Sequence, residues 1–313
     1  MRRLDGGSPL PPSFRGGWVA LGNFDGFHLG HQAVVGRAVE RARAAGAPAL
    51  VATFDPHPVR FFRPDAPPFR LTSLDQRERL FAAAGADAMI VHRFDAGLAG
   101  TDAAAFAAGR LAGLAGVVTG EDFTFGRGRS GNAESLARLG AEHGFAAEAV
   151  APVALPGDPE AAPVSSSRIR EALKAGDMAA AARLLTRPFA IEGVVEHGDK
   201  RGRTLGYPTA NLRLGDYQRP RYGVYAVRGR LPGGVVVDGV ANLGVRPQFE
   251  PVELLEPHFL DWSGDLYGSE IEVELHAHMR DEARFDGLDA LVTQMDRDAA
   301  EARCILSTPS SRT

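Results

Sequence analysis

The pattern of apolar residues changes once along this chain, near Arg187-Pro188, and that change limits the fold more than any other feature. Before it, short apolar runs alternate with stretches of helical spacing. Trp18 to Gly22 reads as a buried strand, Gln32 to Ala45 as a helix, and Ala49 to Phe54 as the next strand, which makes a β-α-β unit with a right-handed crossover. The alternation continues with a helix at Leu74 to Ala84, a strand at Ala88 to Val91, a helix at Ala103 to Leu114 and a strand at Gly116 to Thr119. Such an order predicts an α/β doubly wound, mostly parallel sheet of Rossmann-like type, with ligands at the carboxyl ends of its strands.

A further helical stretch, Arg168 to Leu185, precedes the change, and the residue before a proline is pushed out of helical geometry. Strand-like pieces follow at Ala190 to Glu196, Gly223 to Arg230, Val235 to Val240 and Glu270 to Leu275, separated by Gly- and Pro-rich turns. Short strands without helices between them predict a small β-barrel, which removes exposed edges, and Leu288 to Leu306 reads as a C-terminal helix. Two domains are expected, residues 1–186 and 187–313, and a length of 313 residues gives each enough chain to bury a core.

Charge narrows the function. Lys and Arg total 35 against 39 Asp and Glu, a net of −4, so no basic excess draws the protein to nucleic acid or an anionic membrane. The single cysteine, Cys304, cannot form an intramolecular disulfide, no apolar run resembles a secretory signal, and a cytoplasmic protein is expected.

Between the first strand and its helix stands Gly22-Asn23-Phe24-Asp25-Gly26-Phe27-His28-Leu29-Gly30-His31. Backbone N–H groups at a helix start suit anions, His28 and His31 can donate to phosphate oxygens, and the glycines allow close approach of a nucleotide. A zinc site would need further Cys or His ligands, which the neighbouring sequence lacks. In the second half, Gly193 to Arg203 leads into Thr204-Leu205-Gly206-Tyr207-Pro208-Thr209-Ala210-Asn211. Loop glycines can expose N–H groups to phosphate, and the Thr209 hydroxyl and Asn211 carbonyl are hard oxygen ligands for Mg²⁺, although an ordinary barrel corner would read the same way. No Walker spacing occurs in the chain.

These residues resemble the H-x-G-H nucleotidyltransferases and, more narrowly, the prokaryotic bifunctional riboflavin kinase/FAD synthetase family. Residues 22–31 match that family's G-x-F-D-G-x-H-x-G-H motif, and Pro208-Thr209-Ala210-Asn211 matches its kinase block. Further blocks in the family's order are Thr53 to Pro58, Gly120 to Gly126, Val164 to Arg170, Gly239 to Pro247, Glu256 to Asp261, Asp265 to Gly268 and Arg280 to Phe285.

The resemblance implies that riboflavin is phosphorylated to FMN in the C-terminal half and FMN adenylylated to FAD in the N-terminal half, with ATP as substrate of both steps and Mg²⁺ required. It gives catalytic roles to His28 and His31, at the α-phosphate under in-line attack by FMN, and to Glu256, as the base for the riboflavin 5′-hydroxyl. It implies ATP contacts from Gly22, Phe24, Gly30, Ser167, Arg170, Gly202, Gly206, Thr209 and Asn211, the last two holding the metal. Flavin contacts fall to Asp55, Asp122, Arg280 and Phe285. The chain departs from the pattern at Asp122 (often Asn), Tyr207 (usually Phe), Gln248 (usually Thr) and Pro257.

Three other readings stand beside this one. One half could have lost its chemistry, the pockets could bind flavin without turnover, or the H-x-G-H element could belong to an aminoacyl-tRNA synthetase. The last would need a lysine-rich catalytic loop and a basic RNA surface, and the sequence offers neither.

Overall fold

In the computed structural model the described residues are all except 159–160, 198–206, 247–251 and 308–313. They form two compact units, Met1–Pro67 with Ser73–Ser165, and Pro68–Thr72 with Ser166–Thr313.

The first unit contains, in chain order, β1 (Arg2–Asp5), β2 (Trp18–Leu21), α1 (Leu29–Ala44), β3 (Ala49–Asp55), α2 (Pro58–Phe62), α3 (Leu74–Ala83), β4 (Ala88–Arg93), α4 (Ala96–Gly100), α5 (Ala103–Phe106), β5 (Gly116–Gly120), α6 (Ala133–His143) and β6 (Ala146–Val150). The six strands are ordered β1-β4-β3-β2-β5-β6 and every pairing is parallel. Strand runs such as Ala49-Leu50-Val51-Ala52 are apolar at every position because both sheet faces are covered. One face carries Phe54, Phe106, Leu111 and Leu136, and the other carries Val35, Val39, Phe81 and Met89. The chain leaves β2 toward β3 on one side while β5 flanks β2 on the other, so the order reverses at β2, the place where doubly wound sheets open a crevice.

The second unit begins with α7 (Ser166–Ala175) and α8 (Met178–Leu185), followed by β7 (Phe189–Val194), β8 (Leu212–Arg213), β9 (Gly223–Arg230), β10 (Val236–Arg246), β11 (Val252–Phe259), β12 (Glu270–Arg280) and α9 (Leu288–Ser307). The expected single helix from Arg168 to Leu185 is two helices, because Gly176 between them takes φ +80°, which ends α7. The strands run β7-β12-β9-β10-β11-β8 with antiparallel pairing throughout. A bridge from Glu196, just past β7, to Asn211, just before β8, brings the two outer strands together into a nearly closed barrel. The apolar face of α9, with Ala302 and Leu306, covers Ala226 and Ala277 on the barrel.

Candidate functional sites

The loop from β2 to α1 builds the first site. His28 caps α1, and its Nδ1 accepts from the His31 N–H at 3.3 Å, so the neutral His28 ring carries its proton on Nε2. The two imidazoles stack with centroids 3.6 Å apart and planes 19° from parallel. His31 also meets the edge of Phe24 at 5.3 Å. No acidic residue occupies the first turn of α1, while Arg41 and Arg43 lie in its last turn, so the helix dipole at His28 is left to favour an anion.

The glycines of the motif have separate jobs. A Cβ on Gly30 would stand 3.3 Å from the His28 ring and 3.6 Å from the Val164 carbonyl, so Gly30 makes room for the histidine. A Cβ on Gly22 would stand 3.0 Å from the ring of Phe24. Phe24 itself is buried and reaches the site through His31.

Asp55 ends β3, and Asp122 is exposed on the loop after β5. Since β3, β2 and β5 are parallel neighbours, the loops carrying Asp55, His28, His31 and Asp122 all leave the same end of the sheet. Ser167 and Arg170 lie on α7, and Arg170 donates to the Phe69 carbonyl at 2.8 Å with its guanidinium 5.3 Å above the Phe69 ring.

The second site is built where the barrel closes. Ala210 N–H donates to the Pro257 carbonyl at 2.9 Å, and the Glu196 N–H donates to the Asn211 carbonyl at 2.9 Å. The first bond sets Thr209-Ala210-Asn211 alongside the strand that carries Glu256. His258 Nδ1 lies 2.9 Å from the Pro208 carbonyl and must be the donor, because a carbonyl can only accept. Glu256 pairs in register with Asn242, and its carboxylate takes an ion pair from Arg246, with Nε 3.3 Å from Oε2. Arg246 stands within the Gly239 to Pro247 block, and the family resemblance assigns it no role.

Asn211 supplies the test of a metal site. It is 4% exposed, and its Oδ1 is buried with no hydrogen-bond partner among the described residues. An orphaned amide oxygen is costly in a folded protein unless a ligand meets it, and it is, like the Thr209 hydroxyl two residues before it, a hard oxygen donor of the kind that suits Mg²⁺. Gly202, Gly206 and Gln248 lie outside the described residues.

Two departures from the family pattern have local explanations. The extra hydroxyl of Tyr207 donates to Asp296 on α9, and burial together with that bond pushes the phenol up to about 12, so it stays a donor. Pro257 lies inside β11 opposite Ala241; its carbonyl is used by Ala210, and only the return N–H to that side is missing. The partner on that side, β8, has two residues, so the lost ladder bond falls at a sheet end.

Arg280 and Phe285 are brought together, but the guanidinium is committed to protein. It forks onto the buried Asp298, with Nε 3.0 Å from Oδ1 and Nη2 2.7 Å from Oδ2, and lies 5.8 Å from the Phe285 ring.

A parallel-sheet unit with paired histidines at a helix start, followed by a barrel whose Thr209–Asn211 segment runs beside the strand that carries Glu256, fits a two-site nucleotide-dependent transferase. The family profile described as FAD synthetase matches residues 11–168, and the one described as riboflavin kinase matches residues 185–306. The chain belongs to the bifunctional riboflavin kinase/FMN adenylyltransferase family. A member from Pseudomonas fluorescens is 40% identical over 99% of this chain and 99% of that one. Another, from Escherichia coli strain K12, is 39% identical over 91% of each. Among solved structures, one described as a macrolide-efflux protein from Streptococcus pneumoniae superposes with a TM-score of 0.85 at 30% identity, covering 97% of this chain and 99% of that one. Among the described residues, no helix of this chain is long and apolar enough to cross a membrane.

Proposed function

We propose that residues 187–313 phosphorylate riboflavin to FMN and residues 1–186 adenylylate FMN to FAD, each with its own ATP, in the cytoplasm, with flavins and ATP as small-molecule partners and without nucleic acid or membrane. The observation that carries this reading is the 2.9 Å bond from Ala210 N–H to the Pro257 carbonyl. It holds Thr209 and Asn211 beside Glu256, three residues that the kinase step needs together and that lie far apart in sequence.

In the kinase site Glu256 accepts the proton of the riboflavin 5′-hydroxyl as that oxygen attacks the γ-phosphorus, the bond to the β,γ-bridging oxygen breaks and ADP leaves. Thr209 and Asn211 hold Mg²⁺, whose contribution is to neutralise charge on the ATP phosphates. In the adenylyl-transfer site His28 donates from Nε2, and with His31 it stabilises charge on the α-phosphate while the FMN phosphate attacks and pyrophosphate leaves. Ser167 and Arg170 act on the β- and γ-phosphates of ATP, with Asp55 and Asp122 on the flavin side. No covalent enzyme intermediate is required, and positioning with charge stabilisation carries both steps.

Product analysis of the full chain with riboflavin, ATP and Mg²⁺ tests the assignment. The parent should yield FAD, His28→Ala should stop at FMN, and Glu256→Ala should make FAD only from supplied FMN. A parent that stops at FMN would overturn the two-step reading. Loss of both activities on chelation, with recovery on adding Mg²⁺ back, would support the metal.

A further inference from the structure

α3 does more than cover the sheet. Arg77, on its second turn, is 3% exposed. Its Nη1 donates to the main-chain carbonyl of Asn23 at 3.1 Å and to Thr53 Oγ1 at 3.0 Å, while Thr53 Oγ1 in turn donates to the same Asn23 carbonyl at 2.8 Å. Nη2 stands 3.9 Å from Asp55 Oδ1. A buried guanidinium is expensive to desolvate, and an apolar side chain of similar volume would fill the same space at lower cost.

What it holds is a strained segment. Phe24 and Phe27 take φ of 51° and 43°, a region that costs a non-glycine residue on the order of 1 kcal/mol or more. Asn23 is the residue at which that segment begins and His28 the residue at which it ends. One turn further along α3, Phe81 lies under both rings, at 5.8 Å from Phe24 and 5.1 Å from Phe27. α3 therefore fixes the segment at its entrance through Arg77 and from beneath through Phe81, and the same guanidinium reaches Asp55 on the neighbouring strand end.

We propose that Arg77, acting with Thr53, is the positioning residue of the adenylyl-transfer site, setting the path from Asn23 to His28 relative to Asp55. The inference rests on the reading of His28 and His31 as the groups that stabilise the α-phosphate.

The test uses the full chain and steady-state adenylylation of FMN, with the kinase reaction of the same molecules as internal control. Arg77→Met should lower kcat by about 100-fold, the scale of an ångström-sized misplacement. KM for ATP and the kinase rate should stay within a few-fold of the parent, and Arg77→Lys should recover at least tenfold of the loss. Thr53→Val, close to the parent in volume, should lower kcat by about tenfold and keeps the test alive if Arg77→Met fails to fold. Parental kcat per folded molecule in Arg77→Lys and Thr53→Val, or a change confined to KM or thermal stability, overturns the inference. His28→Ala separates the two readings: if it keeps full adenylylation, the site assignment itself fails, whereas an inactive His28→Ala beside fully active Arg77 and Thr53 variants sinks this inference alone.

Discussion

Arg246 and Glu256 form an ion pair across adjacent antiparallel strands, with Arg246 opposite Val252 and Glu256 opposite Asn242. The carboxylate is only 13% exposed, so its partner matters more than a surface arginine would. On the proposed role of Glu256 as the base for the riboflavin 5′-hydroxyl, the Arg246 ion pair sets how the carboxylate is aimed. Glu256→Gln should lower the kinase rate by about 10²- to 10⁴-fold, the range of a lost general base, with adenylylation of supplied FMN unchanged. Arg246→Met keeps the base and loses its partner, so a smaller loss of about tenfold is expected. FMN formation followed chromatographically measures both, and an Arg246→Met variant as inactive as Glu256→Gln would show that Arg246 itself meets the substrate.

His28 offers the matching test at the other site. Its Nδ1 is occupied by the His31 N–H, so under the proposed role Nε2 is the atom left to donate to a developing phosphate charge. His28→Ala removes both the cap and the donor. Loss of one preorganised donor is expected to cost about 10²- to 10³-fold in FAD formation. The missing cap should cost about 1 kcal/mol of stability. His28→Asn, which keeps an N-cap acceptor, should recover the stability measured by thermal melting and not the rate.

Much of this was legible in the sequence because the apolar periodicities are strong. Gly223 to Arg230 is β9 to the residue, and the alternation of the first half gives its sheet. β11 was not legible, since Pro257 interrupts the run Val252-Glu253-Leu254-Leu255-Glu256 and a proline argues against a strand whose neighbours are unknown. The motif order singled out Thr209, Asn211 and Glu256, but no local signal could show that one main-chain bond holds them together. Arg280 illustrates the opposite limit: a matched block named it as a flavin contact, and only the buried Asp298, on α9, reveals where its donors go. Arg77 carried no motif at all, because a buried arginine inside an ordinary amphipathic helix looks like any exposed one.

The pH dependence of stability should show His92. Burial first, and then the nearby Arg110 charge, hold its imidazole down at about 4, while the unfolded chain has the ordinary histidine value near 6.5. The unfolded state therefore binds a proton at a higher pH than the folded state. Stability is unaffected by this group above about pH 6.5 and is lost progressively as pH falls toward 4, to a limit of roughly 3 kcal/mol. Thermal melts of the parent and His92→Gln across that window should differ in slope, the variant being flatter. Equal slopes would show that His92 is not held neutral.

Gly30→Ala separates stability from activity at the adenylyl-transfer site. Gly30 lies inside α1, where replacing glycine by alanine ordinarily favours the helix by roughly 1 kcal/mol. The added Cβ, however, would stand 3.3 Å from the His28 ring, close enough that the ring must give by a few tenths of an ångström. The ring is stacked on His31 at 3.6 Å and capped by its own hydrogen bond, so a push on it moves both histidines. The expected result is a variant melting at or slightly above the parental temperature, with FAD formation reduced about tenfold and the kinase step untouched. A variant that keeps the parental adenylylation rate would mean that the stacked histidine pair tolerates displacement, and the placement of His28 would then matter less to the reaction than its chemistry.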